Sequence, residues 1–195
     1  MTDIKGVAVE RTRKQRLLAF QQKLAGFSFL DPACGSGNFL TETYISLRRL
    51  ENEILSTLYR GQITFGEAFN PIQVSIGQFY GIEINDFAVT VAKTALWIAE
   101  SQMMKETEDI VHMNLDFLPL KSYANISEAN ALRIDWETVV PKDRLNFIMG
   151  NPPFVGYSLQ STSQKDDILS IYIDEKGKIY KTAGKISLWI FSMDV

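Results

Sequence analysis

The residues with the most chemical potential lie in Asp31-Pro32-Ala33-Cys34-Gly35-Ser36-Gly37-Asn38-Phe39-Leu40, at Glu83, and in Asn151-Pro152-Pro153-Phe154. In the first stretch Gly35 and Gly37 remove side chains where the backbone must turn tightly and let a ligand approach closely. A Gly-x-Gly alone also occurs in inert strand-to-helix connections. No Gly-Lys-Ser/Thr follows, which excludes a phosphate-cradling P-loop. A dinucleotide fingerprint would want a third glycine, and position 40 is Leu. Asp31 is the sharper feature, because a carboxylate there would repel a pyrophosphate and attract a cation such as an amino group. Glu83 has the place of a carboxylate that accepts hydrogen bonds from both hydroxyls of a ribose; its other reading is a charge favoured by the N-terminus of the next helix. Together the two carboxylates describe an adenosine-bearing ligand with a cationic tail.

The elements that must carry these residues alternate between helix and strand patterns, which points to an α/β fold with a mostly parallel sheet and flanking helices. Residues from about Val9 to Leu24 read as a helix with Leu17, Leu18 and Leu24 on its apolar side, broken by Gly26. Phe27-Ser28-Phe29-Leu30 is a short strand. A long helix is expected over Asn38 to Tyr59, apolar at Leu40, Ile45, Leu47, Leu50, Ile54, Leu55 and Leu58. Tyr80 to Ile84 forms the next strand, and Asn85 or Asp86 caps a helix to about Lys105, apolar over Phe87, Val89, Val91, Leu96, Trp97 and Ile98. Gly61 to Gln78 reads as turn and irregular structure. Asn125 to Glu128 is a further strand candidate, and Leu145 to Met149 is a strong one that ends at Gly150-Asn151-Pro152-Pro153-Phe154. Each unusual loop therefore falls at the carboxyl end of a strand, the edge where open parallel sheets bind ligands.

The stretch Asp31 to Leu40 resembles the cofactor loop of adenine-specific DNA methyltransferases from restriction–modification systems, which have a Rossmann-like class I fold. Gly81-Ile82-Glu83-Ile84-Asn85 is similar to their ribose-binding strand end. The resemblance implies S-adenosylmethionine as cofactor, with Asp31, Pro32, Ala33, Gly35 and Gly37 against its methionine part and Glu83 on its ribose. Asn130-Ala131-Leu132-Arg133-Ile134-Asp135-Trp136 resembles the segment in which an Asp or Asn bonds the cofactor's adenine amino group. That role passes to Asn130, and Ile84 and Ala131 become apolar walls for the adenine ring. Cytosine-C5 methyltransferases need a catalytic cysteine, but in a different loop, so Cys34 reads as a small packed residue.

Asn151-Pro152-Pro153-Phe154 then has a definite chemistry. An exocyclic amino nitrogen is a poor nucleophile because its lone pair is delocalised into the base. Acceptors on the amino protons, here the Asn151 side-chain oxygen and the Pro152 carbonyl, draw the nitrogen towards tetrahedral geometry and free that lone pair. Pro152 and Pro153 fix the backbone so that both acceptors aim at one point, which is catalysis by positioning and electrostatics. A base inside a duplex must be flipped out to reach a buried methyl donor, and Phe154 offers a face to receive it. Such stacking is worth roughly 1–3 kcal/mol. The plainer reading is that Pro-Pro ends a strand and Phe154 packs in the core. In the family, Asn at the first position goes with adenine, or sometimes with protein glutamine. The protein-glutamine and ribosomal-RNA enzymes usually carry Tyr at the fourth.

Composition bounds the rest. The 195 residues, 46% apolar and 22% charged, suffice for one core. A net charge of −3 does not favour nucleic acid overall, and the basic clusters Arg11, Arg13, Lys14, Arg16 and Lys165, Lys176, Lys178, Lys181, Lys185 read first as solvated faces. Cys34 is the single cysteine, so no internal disulfide forms. His112 is the single histidine and has no partner for a metal site. No apolar run approaches a membrane span, so the cytoplasm is the default compartment. We expect an N-terminal helical segment over residues 1–26, a methyltransferase core over 27–157 and a less defined segment over 158–195. The resemblance weakens beyond about Gly184 and shows no upstream segment for the methionine carboxylate. We therefore expect a piece of a larger protein, with a target-recognition domain outside this chain and double-stranded DNA carrying a flipped adenine as partner. The competing expectations are an amino-methyltransferase acting on protein glutamine or RNA, and a non-catalytic fragment that binds cofactor or a partner.

Overall fold

Short apolar segments separated by long helices leave one economical arrangement, strands side by side in parallel with the helices as crossovers. The structure, a computed structural model, describes residues 4–59, 71–112, 115, 124–152 and 157–171. Helix α1 (Ile4–Ala25) leads through β1 (Phe29–Asp31), α2 (Asn38–Tyr59), β2 (Phe79–Glu83), α3 (Asp86–Val111), β3 (Asn125–Glu128) and β4 (Phe147–Ile148) to α4 (Thr162–Ile171). The strands form a parallel four-stranded sheet in the order β3-β2-β1-β4.

This order decides which face each crossover covers. The steps β1 to β2 and β2 to β3 run the same way, so right-handed connections place α2 and α3 on one face. There Leu40, Tyr44, Ile54, Phe79, Val89, Leu96 and Met103 form the larger core. The step from β3 to β4 runs back past β2 and β1, so residues 129–146 cross on the opposite face. They cover Leu30, Tyr80 and Ile82 with Ile134, Trp136, Val139, Val140 and Leu145, using one 3-10 turn (Trp136–Thr138) and no α-helix. The reversal at β1 makes the gap between β1 and β4 the topological switch point, where such sheets bind ligands.

Register is set by an aromatic row on the helical face. Phe29 pairs with Phe79 on one side and with Phe147 on the other, its ring centroid 5.1 Å from each. A slip of one residue would turn these rings to the wrong face. Beyond the strands, the Ser28 amide donates to Asn146 Oδ1 (2.9 Å) and the Met149 amide to the Leu30 carbonyl (2.9 Å).

Most element boundaries match the reading of the sequence, and α2 begins and ends where expected. Four expectations need correction. Helix α1 begins at Ile4 rather than Val9, and α3 runs on to Val111, where His112 ends it in a left-handed conformation (φ 52°). Phe87, Trp97 and Ile98 do not lie on the buried side of α3, whose buried residues are Val89, Ala92, Leu96, Ala99, Met103, Thr107 and Val111. Finally, α2 buries a polar stripe that an apolar count misses. Arg48 pairs with Glu51 in the core and its Nη2 donates to Thr107 Oγ1 (2.7 Å). Glu51 Oε1 accepts from Gln21 Nε2 (2.8 Å) and the Gln73 amide (2.7 Å), which ties α1, α2, α3 and the segment before β2 together. Among the described residues, no helix is long and apolar enough to cross a membrane.

Candidate active site

The loop after β1 is held by the strand beside it. The Cys34 amide donates to the Ile82 carbonyl (3.1 Å) and the Gly35 amide to Glu83 Oε2 (2.9 Å), while Glu83 Oε1 accepts from the Asn85 amide (2.9 Å). Glu83 thus braces the glycine loop and the entry to α3 at once. Each carboxylate oxygen keeps acceptor capacity beyond these single bonds. Gly35 (φ 53°) and Gly37 (φ 80°) both take the left-handed conformation that favours glycine. A Cβ at Gly37 would also lie 3.0 Å from the Ala92 Cβ, so the loop sits directly on α3. Cys34 is buried against Gly81, where a Cβ would stand 2.8 Å from its Sγ. Burial, with the charges of Asp31 and Glu83 adding, pushes its thiol up to about 12. The expectation of a packed, unreactive cysteine fits this environment.

Asp31 closes β1 with its side chain 1% exposed. Its Oδ1 accepts from the Ala33 amide (3.0 Å). Burial raises its carboxyl to about 6, against the opposing Ala33 hydrogen bond and with the Glu83 charge adding. Across the switch point, a Cβ at Gly150 would fall 2.4 Å from Asp31 Oδ1. The backbone that leads into Asn151 therefore runs against the Asp31 carboxylate. A cavity of about 650 Å³ opens here, walled by Asp31, Pro32, Ala33, Trp136, Ile148 and Pro152, with Lys142 and Glu137 among its polar residues.

The sequence-derived residues fall into groups. Asp31, Pro32, Ala33 and Pro152 share the cavity, and Asn151 is exposed next to it. Gly35 and Gly37 follow in the same loop, Glu83 ends the neighbouring strand β2, and Ile84 is 67% exposed beyond it. Asn130 and Ala131 follow β3. Ala131 packs against the second core and its carbonyl accepts from Trp136 Nε1 (2.8 Å). Asn130 has its side chain bonded at both ends, Oδ1 to the Leu132 amide (2.9 Å) and Nδ2 to Asp167 Oδ2 (2.8 Å). Pro153 and Phe154 lie outside the described residues. Sequence reasoning missed Gly150 and Trp136 in the wall of the cavity and Asp167 as the partner of Asn130. A glycine directly before an Asn-Pro-Pro loop was the available signal for the first. Asp167 stands in a polar helix with no local signature.

The glycine loop and its braced carboxylate fit the methionine and ribose ends of S-adenosylmethionine. The Asp31 carboxylate, buried and raised, would be relieved by a cationic group beside it.

Residues 7–194 match the family model described as the DNA-methyltransferase domain of MmeI. The chain is 42% identical over 183 residues to DNA methyltransferase A of Bacillus subtilis (strain 168), covering 92% of this chain and 20% of that protein. It is 35% identical over 86 residues to a putative type II restriction enzyme and methyltransferase of Methanocaldococcus jannaschii, covering 44% of this chain and 7% of that protein. Among solved structures it resembles the type IIL restriction-modification enzyme MmeI in complex with DNA, with a TM-score of 0.81 and 44% identity, covering 89% of this chain and 23% of that one. The chain thus spans about a fifth of the length of the first relative and of that structure. The sheet, the loops at its carboxyl edge and these matches agree: the chain belongs to the MmeI DNA-methyltransferase domain family.

Proposed function

We propose that this chain carries the donor and acceptor sites of a methyl transfer from S-adenosylmethionine to the N6 amino group of adenine in DNA. The observation that carries the reading is the close approach of Gly150 to Asp31, which brings the Asp-Pro-Ala-Cys-Gly-Ser-Gly loop and the Asn151-Pro152 loop to one crevice. The likeness to a DNA-bound restriction–modification enzyme supports DNA as the substrate, and the Asn-Pro-Pro-Phe pattern supports adenine over cytosine.

The cofactor, when bound, supplies an electrophilic methyl group on a sulfonium. Asp31 offers its carboxylate to the cationic amino end of the ligand. Gly35 and Gly37 keep the loop free of side chains where the ligand lies, and Glu83 accepts from the ribose hydroxyls while still holding the Gly35 amide. Asn151 Oδ1 and the Pro152 carbonyl accept the two amino protons of the target base. This localises the lone pair on nitrogen and aims it at the donor. Phe154 receives the flipped base, and the proton released after transfer passes to water without a dedicated base.

Titration of the chain with S-adenosylmethionine, followed by transfer of a tritiated methyl group to duplex DNA and digestion to nucleosides, tests the proposal. Saturable binding and label in N6-methyladenine are expected. Label in methylcytosine would overturn the adenine assignment, and failure to bind the cofactor would overturn the donor site.

A further inference from the structure

The side chain of Asn130 is oriented by two neighbours that leave no ambiguity of chemistry. The Leu132 amide can only donate, so it fixes the end that carries Oδ1 (2.9 Å). The Asp167 carboxylate can only accept, so it fixes the end that carries Nδ2 (2.8 Å). Asp167 comes from α4, 37 residues further on. It is 6% exposed, and its second oxygen is engaged by Arg133, whose Nε lies 2.6 Å away. An acidic side chain is buried here with each oxygen committed, one to a cation and one to an amide. Burying a carboxylate costs stability unless it is paired and hydrogen-bonded, and both of its partners lie in the turn that follows β3.

We propose that Asp167 is a positioning residue that locks the Asn130 amide with its carbonyl oxygen turned towards the cofactor's adenine, so that the site selects a 6-amino over a 6-oxo purine. The proposal rests on the reading of Asn130 as the residue that meets that adenine. An Asn amide can flip end for end with little change of shape, exchanging an acceptor for a donor. With the amide free to flip, the site could pair with either purine. With Nδ2 held by Asp167, Oδ1 retains a lone pair for an exocyclic amino group and opposes a carbonyl. Arg133 contributes only by holding Asp167, and α4, which follows the Asn151-Pro152 loop in the chain, thereby reaches back to the donor pocket.

The test compares binding of S-adenosylhomocysteine with binding of S-inosylhomocysteine, which differs in carrying oxygen in place of the 6-amino group. The unaltered chain is expected to prefer the adenosine compound by about tenfold or more, the scale of one hydrogen bond made against one opposed. Asp167→Leu removes the acceptor. Asp167→Asn, close in shape and chosen in case the first variant fails to fold, can face Asn130 either way round. Either change leaves the Leu132 amide alone to orient Asn130 and should lower the preference by about threefold or more, mainly by strengthening binding of the inosine compound. Arg133→Ala keeps the acceptor but removes what holds it, and should lower the preference less than either Asp167 change. If folded Asp167 variants remain as selective as the unaltered chain, the lock does not exist. If the unaltered chain binds both compounds equally, or neither, the Asn130 reading falls and the proposal falls with it.

Discussion

The Asp31 carboxylate occupies the space in which a side chain on Gly150 would have to begin: a Cβ there would lie 2.4 Å from Oδ1. One residue ends β1 and the other follows β4, so this approach is the point at which the two loops of the site meet. Gly150→Ala should therefore break the site from its middle. We expect loss of detectable methyl transfer and a destabilisation of about 1–3 kcal/mol from overpacking. Denaturant unfolding together with a transfer assay would check both.

Asn151→Ala removes an acceptor without touching the donor loop. Transfer should fall by about 10²–10³-fold, the scale set by loss of one oriented group acting on developing charge. Cofactor affinity, measured by calorimetry, should stay within about twofold, since Asn151 has no part in the donor loop.

Asp31 gives the site a pH dependence. The folded chain holds this proton more tightly, at about 6 against 3.8 for the ordinary group. Folding then takes up a proton between about pH 4 and 6, so stability falls as pH rises through that window and stays lower above it. Asp31→Asn should gain about 1–3 kcal/mol at pH 7.5 and little at pH 4, read by urea unfolding at both. Cofactor affinity should move in the opposite sense. In the unaltered chain it should weaken as pH drops from 7 to 5 and the carboxylate is neutralised, and in the variant this part of the pH dependence should be absent.

Cys34 should resist thiol reagents. With its thiol pushed up to about 12 and its side chain buried, labelling by iodoacetamide at pH 8 should be slow in the folded chain and fast in urea. Cys34→Ala should retain transfer activity, which separates packing from nucleophilic catalysis.

Glu51→Ala would leave Arg48 buried without its carboxylate and would orphan the Gln73 amide, while Gln21 keeps only the Pro71 carbonyl. A loss of about 3–5 kcal/mol is expected, measured by urea unfolding. Arg48→Met with Glu51→Leu together should recover much of it, because a well-packed apolar pair avoids the desolvation cost.

Much of this architecture is legible in the residues because local signals agree there. Gly26, the Asn85 cap and the alternation of apolar runs mark α1, β1, α2, β2 and α3, and the two loops announce themselves by glycine and proline. What stays hidden depends on contacts between distant parts. The polar stripe of α2 is a set of charged and amide residues, unremarkable until Thr107 and Gln21 arrive beside it. Phe87 looks like a core residue by spacing, yet it stands 73% exposed at the start of α3 beside Ile84. Asp167 gains meaning only from Asn130 and Arg133, and no periodicity in α4 could supply it. Around the cavity, the glycine loop and Glu83 stand out by residue type and Asn130 to Trp136 by resemblance, whereas the place of that crossing segment over β1, with Leu145, follows only from strand order.

The reversal at β1 also sets an order of assembly during synthesis. Strands β1, β2 and β3 join through successive neighbours, so the glycine loop, Glu83 and Asn130 can come together once residue 130 has emerged. Strand β4 must instead return to β1 across 118 residues, from Asn146 to Ser28, a closure whose entropy cost is offset only when both ends are present. A nascent chain can thus seat its glycine loop against Glu83 before Gly150 reaches Asp31.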